Sequence, residues 1–292
     1  MRMNTAVFSA ILAAALYALN APASKLLLNN VAPSMMAAML YLGAGLGMLV
    51  MGLVRQAAGK PSAGQHLTRK DWPYTVGMIV LDILAPIFLM IGISRTTAAN
   101  ASLLNNFEIV ATSLIALLVF KEKISRRLWA AIGLIVMSSI LLTAEDASSM
   151  QFSMGSVFVL LASCCWGLEN NCTRMLSQSD PQEIVIVKGI GSGTGALIVA
   201  LLSGESLPAL VHVPAALLLG FVAYGLSIYF YVYAQRYLGA AKTSAYYAIA
   251  PFIGVLLSLV IFRDWPGWLF FAALAVMIAA TVLVTRDQAE TE

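Results

Sequence analysis

Tyr17-Ala18-Leu19-Asn20-Ala21-Pro22-Ala23-Ser24-Lys25 lines up, position by position, with Trp166-Gly167-Leu168-Glu169-Asn170-Asn171-Cys172-Thr173-Arg174. Just after them, Pro33, Gly43, Gly45 and Gly47 match Pro181, Gly191, Gly193 and Gly195. After one change of register, Ala98-Ala99-Asn100-Ala101-Ser102 matches Ala240-Ala241-Lys242-Thr243-Ser244, and Phe120-Lys121-Glu122 matches Phe262-Arg263-Asp264. Each match is weak alone. Together they are four blocks in the same order and divide the chain into two related halves, residues 1–148 and 149–292.

The material of those halves is apolar. Of 292 residues, 60% are hydrophobic and 11% charged, against roughly 25% charged in an average soluble domain. A water-soluble protein of this length has no interior large enough for that much apolar surface. A soluble enzyme, a nucleic-acid binder, a disulfide scaffold and a disordered chain are excluded on these grounds. The net charge of +3 points to no acidic partner. Cys164, Cys165 and Cys172 share one apolar stretch and read as small packing residues. The composition calls for no cofactor or metal.

Ten apolar runs lie near 5–28, 33–54, 73–93, 97–120, 127–144, 154–176, 181–203, 213–236, 240–262 and 265–285. Inside a bilayer each must be a helix, because its backbone groups have no water to bond. Ala21-Pro22-Ala23 resembles a signal-peptidase site, but the first run is a repeat mate of the sixth and is read as a retained helix. Arg2, Arg55, Lys60, Arg69, Lys70, Lys121, Lys123, Arg126, Arg127, Arg174, Arg236, Lys242 and Arg286 fall on one side. Lys25, Arg95, Arg263, Glu145, Asp146 and Glu205 fall on the other. The positive-inside rule then places both termini in the cytoplasm. Five runs per half is an odd number, so the second half crosses in the opposite sense. The expected fold is an all-α polytopic membrane protein: ten transmembrane helices in two inverted five-helix repeats around a central cavity. Gly43-x-x-x-Gly47 and Gly191-x-x-x-Gly195 read as close packing of the second and seventh spans within the chain, or as a dimer face.

These residues resemble the drug/metabolite transporter superfamily in its EamA-repeat branch. The resemblance covers essentially the whole chain. It rests on the five-plus-five repeat, the joint Phe120-Lys121-Glu122-Lys123-Ile124-Ser125, the small residues Ala240 and Ala241, the mid-helix proline Pro251 and the acid Asp264. The first half departs at Ile109, which stands where that proline would be. Short loops and aromatic-rich spans look most like bacterial amino-acid exporters of the YddG type. The resemblance implies a central cavity between spans 1, 3, 4, 6, 8 and 9, and export from the cytoplasm; the short loops point to a bacterial plasma membrane.

Polar groups within spans are costly and mark cavities or partners. The candidate substrate-binding residues are Tyr17, Asn20, Asp82, Asn100, Asn105, Glu108, Trp166, Glu169, Asn170, Tyr224 and Tyr246. A zwitterionic amino acid needs acceptors for its ammonium, donors for its carboxylate and an apolar wall. Carboxylates and amide oxygens supply the first, amide, hydroxyl and indole groups the second, aromatic faces the third. Plainer readings stand beside each. Trp72, Trp129, Trp265, Trp268 and some span-8 tyrosines suit an interfacial belt. Asn and Ser often only bridge helices. Asp82 and Glu169 are either site acids or acids buried beside a cation, and Lys188 either pairs with an acid or snorkels. Tyr17 and Trp166 sit at equivalent depth, one per half. Pro22, Pro86 and Pro251 are either hinges or static kinks.

Intramembrane carboxylates can also carry a proton through a cycle, which makes protons the candidate coupling ion. His66 and His212 fall in joints, and no HExxH or GxSxG motif is present, which argues against an enzyme. No carbonyl-filter loop suggests a channel. The expected partners are a small amino-acid substrate and the lipid bilayer, with no nucleic acid, for a monomer or weak dimer. Another metabolite or a lipophilic cation is the alternative cargo.

Overall fold

A computed structural model describes residues 2–59, 65–121, 124–146, 150–176, 179–238, 243 and 246–290. The expected boundary between halves at 148/149 lies outside the described residues. So do Lys60, Glu122, Lys123, Ala240, Ala241, Lys242 and Ser244. The described chain is helical: α1 (Arg2–Ala18), α2 (Asn20–Leu27), α3 (Pro33–Ala57), α4 (Trp72–Arg95), α5 (Ala98–Leu104), α6 (Phe107–Phe120), α7 (Arg126–Asp146), α8 (Met150–Met175), α9 (Pro181–Leu202) and α10 (Val213–Gly220). A π-helical turn, Phe221–Leu226, leads into α11 (Ser227–Leu238), followed by α12 (Ala250–Phe262) and α13 (Trp268–Glu290).

Eight helical stretches among the described residues are long and apolar enough to cross a membrane: Asn4–Leu27, Pro33–Ala57, Arg69–Arg95, Ala98–Val119, Arg126–Ala144, Pro181–Leu202, Val213–Ala234 and Trp268–Arg286. The 26-residue α8 and the 13-residue α12 stand beside them. Large apolar side chains cover the outside, with Leu118, Leu256 and Val260 each more than 60% exposed. A water-soluble protein would bury such residues; a bilayer solvates them. The protein is a multi-pass membrane protein.

Among the described residues, three expected spans are interrupted: the first, the fourth and, at 248–249, the ninth. Asn20 opens a new helix after Leu19 because Pro22 has no N–H for the carbonyl of Ala18. The fourth expected span turns at Asn105 and Asn106, where Asn106 N donates to Leu103 O in a tightened turn. Asparagine side chains compete with the helical backbone for hydrogen bonds, so a pair of them is a natural break. Pro251 corrects an expectation. It lies in the first turn of α12, where its missing N–H costs nothing, and not in mid-helix. Among the described residues, Pro86 alone sits well inside a continuous helix, α4.

Helices α3 and α9 lie along each other, as do α4 and α8, α1 and α11, α7 and α13, and α5 and α12. Small residues permit this. A methyl on Gly45 would stand 2.6 Å from the Ile190 nitrogen, and one on Gly189 would stand 2.4 Å from the Gly45 nitrogen. The GxxxG pairs also pack within the chain, but on other neighbours than expected. Gly43 and Gly47 meet Leu217 and Phe221, while Gly191 and Gly195 meet Ile79 and Ile83 of α4. The α3–α9 contact itself falls to Gly45, Gly189 and Gly193.

Candidate functional site

Polar side chains gather where α4, α8 and α9 meet. Lys188 of α9 places Nζ 3.0 Å from Asp82 Oδ2 and 2.9 Å from Glu169 Oε1. Asp82 is fully buried, Glu169 2% exposed and Lys188 7% exposed. Tyr41 Oη donates to Asp82 Oδ1 at 2.8 Å, and Trp166 Nε1 donates to the same oxygen at 3.1 Å. Thr173, one turn after Glu169, donates its hydroxyl to Glu169 Oε1. Two carboxylates face one ammonium, so the fully ionised triad carries one excess negative charge. Such a cluster is tolerable in a bilayer only because its members neutralise and hydrogen-bond one another.

A second group lies beside it. Asn170 Nδ2 donates to Glu108 Oε1 at 2.5 Å and to Thr112 Oγ1 at 3.3 Å, tying α8 to α6.

The third group is aromatic and amide. The Tyr224 ring lies 5.2 Å from Tyr41, tilted, and 5.9 Å from Tyr17, edge to face, and Tyr17 lies 6.0 Å from Tyr247 (ring centroids). Asn20 Nδ2 donates to Tyr224 Oη at 3.0 Å, and Asn105 Nδ2 donates to Tyr17 Oη at 2.9 Å. Ser24 donates to Asn20 Oδ1 at 3.0 Å. The π-turn advances Tyr224 into this group, and such turns often mark functional positions. Among the described residues, Asn105 Oδ1 and Asn106 Nδ2 are buried without a hydrogen-bond partner.

Of the sequence candidates, Tyr17, Asn20, Asp82, Asn105, Glu108, Trp166, Glu169, Asn170 and Tyr224 join these three groups. Asn100 is buried in the first turn of α5, where its backbone N–H donates to the Thr97 cap. Tyr246 is 39% exposed, and its neighbour Tyr247 is the one that meets Tyr17. Lys188 pairs with acids and does not snorkel. Tyr41 escaped the sequence reading. Its signal was a phenol inside an apolar run, which needs a partner when buried.

A cavity of about 20 Å³ is bounded by Tyr17, Asn20, Ser102, Asn105, Pro251 and Gly254, too small for an amino acid. A cleft of about 560 Å³ opens between α3 and α10, lined by apolar residues and Arg55. Arg55 donates to Tyr229 Oη at 2.8 Å. Ties also lie at the two ends of α9. His66 Nδ1 meets Glu183 Oε2 at 2.9 Å, and Asp180 N donates to Gln65 O at 2.8 Å. At the far end, Glu205 accepts from Ser34 N at 3.2 Å and Met35 N at 2.7 Å.

The pattern of the EamA-like transporter family matches residues 4–144 and again 153–286. A protein of Methanothermobacter thermautotrophicus described as an uncharacterized transporter is 25% identical over 281 residues, 90% of this chain and 81% of that protein. A solved structure described only as "Crystal structure of protein" matches 98% of both chains at a TM-score of 0.69 and 16% identity, a likeness of fold.

Proposed function

The chain belongs to the EamA-like transporter family, and from that premise we propose that it exports small metabolites, aromatic and other neutral amino acids first, by alternating access. One observation carries the reading: ionised, amide and phenolic side chains converge inside helices that are otherwise apolar. Such groups are expensive in a bilayer and persist where a polar solute must pass. The tyrosine walls suit an aromatic side chain, and the amides and acids suit a zwitterion's ends.

Two inverted halves of five helices are part of the proposal, and three likenesses support them. Ser24 bonds Asn20 as Thr173 bonds Glu169, at aligned positions. Gly43 and Gly47 seat the eighth expected span, as Gly191 and Gly195 seat the third. Asn105, at the break before α6, aligns with Tyr247, at the break before α12. Discontinuous helices at matching places in two halves are the usual frame of a transport site.

The cavity beside Tyr17, Asn20 and Asn105 measures about 20 Å³, so passage of an amino acid there requires a rearrangement that opens it to each face in turn. The ties at the two ends of α9 are the contacts that such opening would break. Asp82, Glu108 and Glu169 are the acids that could carry a coupling proton. Both termini then lie in the cytoplasm of a plasma-membrane protein, a monomer or weak dimer.

Uptake and efflux of labelled amino acids by the purified, reconstituted protein test this. Saturable movement of aromatic amino acids is expected. Protection of a host against quaternary ammonium compounds, with no amino acid moved, would replace the proposed cargo by lipophilic cations.

A further inference from the structure

α3 and the stretch that begins with α10 run parallel. Gly43 meets Leu217, Gly47 meets Phe221, and Arg55 donates from Nη1 to Tyr229 Oη at 2.8 Å. The cleft of about 560 Å³ follows this seam. Its walls include Leu46, Val50 and Val54 of α3 and Leu218 of α10, all exposed on the apolar outside of the protein. The cleft therefore opens sideways, toward lipid. From Gly43 to Arg55 the helix rises about 18 Å, close to the depth of one hydrocarbon leaflet, about 15 Å. The 25 residues of α3 outrun the apolar thickness of a bilayer, so Arg55, in the last turn, reaches headgroup level.

Arg55 is the one charged residue lining the cleft. Its hydrogen bonds go to uncharged groups, Tyr229 Oη and, at 3.3 Å, Gln182 Oε1, and both leave from Nη1. Its remaining contact is the Tyr229 ring, 5.7 Å from the guanidinium carbon. Among the described residues no carboxylate pairs with it. The guanidinium thus keeps its full charge, with Nη2 and Nε unused by those residues. A planar guanidinium of this kind matches a phosphate in charge and in fork geometry. A second copy of the chain fits less well, because Gly43 and Gly47 already hold Leu217 and Phe221 and offer no free small-residue face for a helix dimer.

We propose that this groove binds an anionic phospholipid of the bilayer, with one acyl chain along α3 between Gly43 and Arg55 and the phosphodiester on the Arg55 guanidinium. The site is separate from the polar groups at the helix breaks and holds whatever the exported cargo is.

The test titrates the full chain, purified in detergent, with dioleoylphosphatidylglycerol and dioleoylphosphatidylcholine. Bound lipid is counted by native mass spectrometry, and thermal unfolding is followed alongside. Arg55→Gln removes the charge, and Val50→Trp fills the groove from its lipid-facing wall. Each variant is first checked for cooperative unfolding without added lipid, and either one that folds carries the test. One phosphatidylglycerol is expected to bind about tenfold more tightly than phosphatidylcholine, the equivalent of one charge-assisted hydrogen bond, and to raise the unfolding temperature. Arg55→Gln should bring phosphatidylglycerol down to the phosphatidylcholine level, and Val50→Trp should weaken both. Equal binding of the two lipids by the parent protein, or phosphatidylglycerol binding untouched in either variant, would overturn the assignment. So would displacement of phosphatidylglycerol by glycerol phosphate at equal concentration, which would make the site one for a soluble anion. A dimer that persists after lipid is removed and is lost in Val50→Trp would place a second copy in the groove instead. Failure to transport amino acids would defeat the export reading and leave this site standing.

Discussion

Replacing Lys188 by methionine isolates the energetics of the buried triad. The side chain keeps its length and loses its charge, leaving Asp82 and Glu169 buried without their shared counter-ion. At 3.0 Å and 2.9 Å, each contact is worth about 5.5 kcal/mol by Coulomb's law at an effective dielectric of 20. Desolvation of the ammonium offsets much of that sum, and removing one member of a buried pair typically costs about 3–5 kcal/mol. The double variant Lys188→Met/Glu169→Gln restores the formal charge of the cluster, since one carboxylate remains where two carboxylates and one ammonium stood. It should recover more than half of the loss. Reversible unfolding of the purified protein in mixed micelles, followed by tryptophan fluorescence, measures both. If Lys188→Met costs under about 1 kcal/mol, the magnitude of an exposed pair, the cluster is not the buried network described here. If the double variant recovers nothing, the loss comes from packing and not from charge.

Tyr41→Phe should cost about 1.5–3 kcal/mol, the range for a hydrogen bond to a charged group, in the same unfolding assay. Gly45→Ala should destabilise by about 1–3 kcal/mol, because the new methyl meets the Ile190 nitrogen at 2.6 Å; a neutral result would refute the close α3–α9 contact. His66→Ala should change stability by less than about 1 kcal/mol, since the His66 side chain of its pair with Glu183 is 81% exposed. Tyr247→Leu should impair transport of aromatic amino acids and Tyr246→Leu should not, measured as initial rates in proteoliposomes.

Helices inside a bilayer were legible because lipid leaves the backbone no other choice, and long apolar runs announce them. Most candidate site residues were legible for the same reason: Asp82, Glu108 and Glu169 are conspicuous in an apolar chain. The choice between Tyr246 and Tyr247 was not, because both lie in one apolar run and only the turn before α12 sets which ring faces inward. Tyr41 was hidden because one phenol among methionines and alanines looks like packing until its partner, Asp82, is known to be 2.8 Å away. The glycine patterns announced close packing without naming the neighbour, since a stripe of small residues accepts any backbone that reaches it.

Composition and repeat alone therefore determined that this chain lives in a membrane as helices, in two related parts with polar groups at matching places. Those are local properties: each residue's transfer energy and each run's length carry them. Tertiary structure decided which polar atoms are satisfied and which are not. Lys188 bridges two acids, one on α4 and one on α8, while Asn105 Oδ1 is buried without a partner among the described residues. Hydrogen-bond satisfaction depends on ångström distances between segments far apart in the chain, and no property of a single segment contains that information.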